Sequence, residues 1–482
     1  MKQLPLTRGK NFTNALLYLK VLSFFTITFS LVFTSCKKSL EESADQPVLV
    51  SNANGLTGMI GINVVLKTPV TDDILKDLSS YGTVIDVVPD IKSLTMRIAS
   101  SNLTVIQKLT YVSQANPDAT RDGSPVDAVA VADFSNGLSM WNLDAINVAD
   151  LGAGRTIDKD GSGVYIGVLD SGLPDSWRQY FPQERIATQY AKSFGGGGGN
   201  GNVSEQPNKW EHDQDTHGGH VTSTLIGFQF GTAYFNGVAP KATIIPVKVL
   251  NQNGRGWSSV IARGIVYIAE LKDGVLRNSP VVINMSLGGP NLDAMEKAAI
   301  DYAISKGVII VAAAGNGGEQ GMHYPAAYQP VISAASAGWT GQWTSPAWWF
   351  ATNVPDPANA SDLFISDFSG REKPGQDLDV AAPGDWVVGP YQTNSGPLSY
   401  FFLAGTSQAS PHVAGIVALM AQQKPSLTAA EAETTLESAA IPMGAGSRTV
   451  IQLDGTTSTI SWGSNASGHG FITATAALAA LH

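Results

Sequence analysis

A single cysteine, Cys36, rules out any disulfide within the 482 residues, so stability has to come from a packed core. Charge is scarce too: Asp, Glu, Lys and Arg make up 15% of the chain, and acids prevail to a net charge of -10. That balance argues against a nucleic-acid-binding surface, and no basic stripe interleaved with aromatics occurs. The 50 glycines follow no G-X-Y period, which excludes collagen and points to tight turns and close backbone approaches. No HExxH segment is present, and no cysteine lies near the histidines, so the commonest zinc-hydrolase signatures are missing. What the chain does have is apolar residues. At 43% they suffice for a large core, and the length favours two or three folded units.

The N-terminus carries Lys2, Arg8, Lys10 and Lys20, then the uncharged run "VLSFFTITFSLVFTS" at 21–35, then Cys36 and two lysines. Fifteen residues are short for a membrane span but suit the apolar region of a signal peptide. The segment "FTSCKK" resembles a bacterial lipobox, with Phe33 where leucine is usual. The expectation is an exported cell-envelope lipoprotein, at the outer membrane or cell surface, anchored through lipid on Cys36. Each buried CH2 of that lipid contributes roughly 0.8 kcal/mol.

Residues 37–54 are polar and read as a tether. From 57 to 121 the pattern alternates β-branched strands with two short periodic helices (Ile74, Leu75, Leu78; Val105, Ile106, Leu109), a small split-βαβ module. The segment "DGSPVDAVAVADFSNG" at 122–137 reads as an exposed linker. Beyond it come near-continuous apolar runs, "GVYIGVLD", "ATIIPVKVL", "VVINMSLGG", "GVIIVAAAGN" and "PVISAAS", bounded by glycine and proline. Helical patterns at 258–271 and 293–305 alternate with several of them. Runs buried on both faces with helices between imply an α/β fold with a doubly wound, mostly parallel sheet. Ligands in such sheets sit beyond the carboxyl ends of the strands, where Asp170, the loop at Ser286 and Asn316 all fall. A capping box, Thr428 with Glu431, marks a late helix.

The segment "LAGTSQASPHVAGIVALM" at 403–420 places Ser407 between a glycine-threonine turn and a helix. A hydroxyl there faces the helix's positive end, where an amide can stabilise an oxyanion. Serine is a weak nucleophile and needs a base oriented by a carboxylate; His217 and Asp170 are available. Taken singly, each residue has a plainer use: Asp170-Ser171-Gly172 as a strand-ending turn, Asn316 before Gly317 as a turn, Ser407 as a helix cap. His412 reads as structural. The segment "HDQDTHGGHV" also allows a zinc site at His212, His217 and His220, since residues three apart share a helix face.

The ordered set "VLDSG", "HGGHV", "NMSLGG", "AAAGN" and "GTSQASPHVAG" resembles the hallmark segments of the subtilisin-like serine proteases, from about Trp141 to the end. The plainer uses do not explain why all five occur in one order. The resemblance implies a serine endopeptidase in which Asp170 orients, His217 is general acid/base, Ser407 is nucleophile, and Asn316 with the Ser407 amide stabilises the oxyanion. It implies that Gly254, Arg255 and Gly256 on one side and Ser286, Leu287 and Gly288 on the other pair with an extended polypeptide substrate. Ile261 and Leu287 would line an apolar subsite, and Ala313, Ala314 and Gly315 the primary pocket.

Three residues depart from the family's usual spelling: Gly219 replaces threonine, Gln408 replaces methionine, and His323 stands at the primary pocket's floor in place of a small residue. The loop "GFQFGTAYFNG" lacks the look of the family's calcium loop, so no cofactor is required, and structural calcium has no recognisable loop to support it. The segments "SFGGGGGNGN" and "GWTGQWTSPAWWF" read as insertions, the second as a small satellite core. The N-terminal module resembles the family's inhibitory propeptide, which makes the protein its own inhibitor. The implied organisation is 1–35 lipoprotein signal, 36–54 tether, 55–121 propeptide, 122–137 linker with processing site, and 138–482 catalytic domain. A cut between Asp122 and Ser135 would then free the catalytic domain from its membrane anchor. A catalytically silent, peptide-binding envelope lipoprotein on the same fold is the alternative that an intact Asp170, His217, Ser407 and Asn316 disfavours.

Overall fold

The computed structural model describes residues 58–131, 140–150, 154–195, 205–231, 233–351, 353–356, 358–392 and 398–481. The signal, tether and Cys36 readings, residues 132–137 of the linker and most of the glycine-rich insertion lie outside the described residues. No helix among those described is long and apolar enough to cross a membrane.

The N-terminal module alternates as its sequence requires. Strand β1 (Met59–Leu66), helix α1 (Asp72–Leu78), β2 (Gly82–Val88), β3 (Ser93–Ala99), α2 (Leu103–Ile106) and β4 (Val112–Pro117) build an antiparallel sheet in the order β2-β3-β1-β4. Thr71 caps α1, its hydroxyl accepting from the amide of Ile74. Ile60, Ile62, Val64 and Leu66 alternate along β1 into a core of the module's own, with Leu78, Leu94, Met96 and Ile106. The opposite face of β1 carries Asn63, fully buried against the larger part of the chain.

That larger part is an eight-stranded sheet. Its order is Lys192–Ser193, Thr243–Lys248, Tyr165–Asp170, Val281–Met285, Val308–Ala313, Ile332–Trp339 and Leu363–Ile365, with Val380–Pro383 also paired to Ile332–Trp339. Every pairing is parallel except that of Leu363–Ile365. The helices Ser258–Asp273 and Ala294–Ser305 fall close to where apolar periodicity places them. The helix Thr406–Gln423 is buried almost throughout. The tryptophan-rich insertion is core: Trp348 and Trp349 are 1% exposed, and Trp348 stacks on Phe402 at 5.4 Å. The segment after the helix of His217 folds as a hairpin, Gly227–Phe230 with Ala233–Asn236, and buries Phe228, Phe230 and Phe235.

The module docks through polar groups placed on helix ends. The helix Ser258–Asp273 begins without a side-chain cap of its own. Asp118 supplies one from the module, accepting from Ser259 N at 3.0 Å, Ser258 Oγ at 2.8 Å and Ser259 Oγ at 2.7 Å. Asn63 Nδ2 donates to Asp118 and to Asp293, the N-cap of the helix Ala294–Ser305, and Asn116 Nδ2 reaches Asp293 as well.

One expectation is corrected at the linker. Its described part, 122–131, is not a free connection. Strand β5 (Thr120–Asp122) pairs antiparallel with Arg255–Trp257, and β6 (Asp127–Ala130) pairs antiparallel with Ser399–Ala404. The alternation in "DAVAVA" is that of a strand whose partner lies some 270 residues away, and that partner is what ties it down.

Candidate active site

The strand Tyr165–Asp170 ends on a fully buried carboxylate. His217 opens the helix His217–Ile226, and its Nδ1 lies 2.9 Å and 3.1 Å from the two oxygens of Asp170. Both side chains are inaccessible to solvent. Glycine at 218 permits this closeness, because a Cβ there would meet Gly172 O at 2.4 Å. The turn before the helix is pinned by Asp213. Its Oδ2 accepts from Ser171 Oγ at 2.6 Å and Thr216 N at 2.8 Å, and Ser171 Oγ accepts from Gly218 N at 2.8 Å. Lys248 donates to Ser171 O and stands 3.6 Å from Asp213. Nothing local in the sequence marks Asp213, Ser171 and Lys248 as one lock, and Ser171 there reads only as part of a strand-ending turn.

Burial pushes the His217 pKa down, but the Asp170 charge and hydrogen bond, with Asp215 and Asp213 behind, carry it above the ordinary histidine value. His217 Nε2 is buried with no hydrogen-bond partner among the described residues. Ser407, 3% exposed, is the second residue of the helix Thr406–Gln423, where backbone amides have no intrahelical acceptor. Its hydroxyl donates to Ser286 O at 3.1 Å, while Ser286 Oγ donates to Ser407 O at 2.7 Å. Asn316 Oδ1 accepts from Thr406 N and Thr406 Oγ1, both at 2.9 Å. That fixes the carboxamide and leaves Nδ2 without a partner among the described residues.

Arg255–Trp257 and Gly288 pair with the chain's own β5. Asp122 N donates to Gly288 O at 2.9 Å, Gly288 N to Asp122 O at 3.0 Å, and Gly123 N to Gly254 O at 2.9 Å. Arg255, Gly256 and Trp257 face Asp122, Arg121 and Thr120 in register. A Cβ on Gly123 would stand 3.2 Å from Ser286 O and 3.5 Å from His217 Nδ1, which places this segment against the buried pair. Past the centre, Val126 N donates to Ala404 O at 2.7 Å. Between these points the chain is not in productive register: Ser124 N donates to Asp122 Oδ1 at 2.8 Å, while Ser286 O is taken by Ser407.

Ile261, Leu287, Ala313 and Ala314 are all buried. Gly315 has φ +98°, and a Cβ there would meet His323 Cγ at 2.5 Å. A Cβ on Gly288 would meet the His323 Cβ at 2.8 Å, so His323 packs between Gly315 and Gly288. Burial lowers its pKa. Gly219 packs tightly, with a Cβ meeting Pro174 Cδ at 3.2 Å, and the buried side-chain carboxamide of Gln408 has no hydrogen-bond partner among the described residues.

The zinc arrangement is not formed. His212 is exposed and paired with Asp175 at 2.5 Å, while His220 Nε2 bonds Val387 O at 3.0 Å, and burial pushes its pKa to about 3. His412 joins Gln408 O at 2.7 Å and Asn142 Nδ2 at 2.8 Å, a structural role. Among the described residues, the group whose ligand atoms converge is Asp377, Asp379 and Glu433, away from these histidines. Burial there raises Asp379 to about 8, where Ser333 N and Oγ serve it as hydrogen-bond donors.

Sequence and structure comparisons agree with this geometry. The model of the subtilase family matches residues 161–470. Subtilisin DY of Bacillus licheniformis is 33% identical over 288 residues, 59% of this chain and 86% of that protein. Thermitase of Thermoactinomyces vulgaris is 32% identical over 264 residues, 55% of this chain and 77% of that protein. The solved structure of fervidolysin from Fervidobacterium pennivorans, described as a keratinolytic enzyme related to subtilisin, superposes with a TM-score of 0.62 at 21% identity. That superposition covers 88% of this chain and 62% of fervidolysin, and the match to a thermostable alkaline protease of Halalkalibacterium halodurans likewise spans only 59% of that protein. The family match extends over the strand of Asp170, the helix of His217 and the helix of Ser407: the chain belongs to the subtilase family, the subtilisin-like serine endopeptidases.

Proposed function

We propose that Ser407 is the nucleophile of a peptide-bond hydrolysis that proceeds through an acyl-enzyme, with the N-terminal module acting as an intramolecular inhibitor. The observation that carries this reading is the buried Asp170–His217 pair lying under a cleft already filled by a peptide strand. In turnover, Ser407 Oγ attacks the substrate carbonyl carbon as its proton passes to His217 Nε2. Asp170 holds the ring so that Nε2 faces the hydroxyl and stabilises the imidazolium that forms. Asn316 Nδ2 and the Ser407 amide receive the negative oxygen. His217 then protonates the leaving amine, and a water, deprotonated by the same nitrogen, releases the acyl group and regenerates Ser407. Every proton is carried by the chain's own groups, so the chemistry calls for no cofactor.

Substrates are extended polypeptides entering between Gly254–Gly256 and Ser286–Gly288. His323 makes the primary pocket shallow, favouring small residues there. The protein is exported as a lipoprotein modified at Cys36, and a cut beyond the module releases the catalytic part from its anchor. Casein turnover by the wild type, absent in Ser407→Ala, tests the reaction; turnover that survives the substitution refutes it. Mass and N-terminal sequence of membrane and soluble fractions test the release. An active species that stays uncut and membrane-bound contradicts it.

A further inference from the structure

Resting on the proteolytic reading above, we infer that Glu296 makes the subsite occupied by Arg121 selective for arginine in substrates. The bond spanning the centre is Ser124–Pro125, because Gly123 abuts His217 and Val126 is bonded to Ala404. Arg121 is therefore the fourth residue on its amino side. Its side chain points out of β5 into the catalytic part and is wholly inaccessible to solvent, as is that of Glu296.

The contacts of this guanidinium divide in a telling way. Nε donates to Glu296 Oε1 at 3.1 Å, Nη2 donates to Glu296 Oε2, and Nη2 donates to Asn291 O at 3.2 Å. Those acceptors belong to the catalytic part and stay when the module leaves. The remaining contact, Nη1 to Thr120 O at 2.9 Å, uses the backbone carbonyl of the preceding residue, which any substrate strand supplies. Nothing in the recognition therefore depends on the module itself. The space is also cut to shape: a Cβ on Gly289 would meet Thr120 O at 2.3 Å and Arg121 Nη1 at 3.0 Å.

Glu296 has no other partner for its carboxylate among the described residues. Its backbone amide donates to Asp293 Oδ1 at 3.1 Å in the first turn of the helix Ala294–Ser305. With β5 gone, the subsite floor is a carboxylate that has lost its cationic partner, and a planar fork matches its two oxygens better than an ammonium. An apolar side chain at this position would leave that carboxylate buried and unpaired, an outcome that strongly disfavours it. The Arg121 subsite thus contains a buried acid that the family resemblance gave no reason to expect.

The test profiles the active protein, prepared from the full chain, against peptides randomised at each position ahead of the cleaved bond. Matched peptides carrying Arg, Lys, Leu or Ala at the fourth position follow. The wild type should show kcat/KM at least about 10-fold higher for Arg than for Leu or Ala, with Lys between. In Glu296→Gln the Arg-to-Ala ratio should fall toward one. A flat or apolar profile at the fourth position, with casein turnover intact, overturns the inference and leaves the protease reading standing. No turnover of any peptide by wild type, matching Ser407→Ala, would instead defeat the protease reading. Because the wild-type profile is decisive alone, a poorly folded Glu296 variant does not protect the inference.

Discussion

Substituting Arg121 by alanine removes one member of a fully buried ion pair and strands the other. In the uncut chain, Arg121 makes two hydrogen bonds to Glu296 and one each to Asn291 O and Thr120 O, with no solvent access to either charge. Breaking a buried pair by deleting one partner costs about 3–5 kcal/mol. Glu296 has an escape, since burial already raises its pKa and protonation relieves part of the penalty. The lower end, about 3 kcal/mol, is therefore expected, equivalent to roughly 10²-fold in the docking equilibrium of β5. Hydrogen exchange in a Ser407→Ala background reads this without self-cleavage. The amides of Asp122, Gly123 and Gly288 are bonded across the cleft and should lose about 10²-fold in protection. Amides within the β1–β3 ladder, stabilised by the module's own core, should keep theirs. Protection at Asp122 and Gly288 unchanged within about threefold would refute the claim that this pair holds the strand in place.

Further predictions follow from the same geometry. As general base His217 must be neutral, and because Asp170 holds its pKa above the ordinary value, kcat/KM should climb only as pH rises past the range of free histidine; Asp170→Asn, leaving burial to dominate, should move the inflection below that range and lower kcat by about 10⁴-fold. An inflection unmoved by the substitution contradicts the assignment. Asn316→Ala should lower kcat by about 10²- to 10³-fold, about 3 kcal/mol, with KM little changed, a magnitude established on a subtilisin. His323→Gly should open the primary pocket and admit larger residues before the cleaved bond; an identical cleavage profile would show that the ring does not bound that pocket.

The candidate site is legible in the sequence because Asp170, His217, Asn316 and Ser407 sit in short ordered segments at strand and helix ends. The parallel sheet was equally readable, since its strands are apolar runs buried on both faces. What sequence concealed depends on pairing across distance. Arg121 and Glu296 lie 175 residues apart, and neither stands in a segment whose pattern predicts a partner. The strand character of β6 was hidden because its partner follows so much later, and a polar-flanked alternation by itself is also what a linker shows. Asp118 capping a helix of another unit is illegible for the same reason: its acceptor role exists only after docking. The crowding of His212, His217 and His220 suggested a metal, but the fold turns them in three directions. A helix brings His217 and His220 to one face, but Asp170 takes the first ring and Val387 O the second, and His212 stays in solvent.

Ser407, activated by His217, is the proposed reactive group. A fluorophosphonate probe followed by peptide mass mapping addresses it directly. A single phosphonylated residue, Ser407, is expected, with labelling lost in His217→Ala and unaffected by a chelator. Labelling of wild type that fails, that falls on another serine, or that persists at full rate in His217→Ala would contradict it.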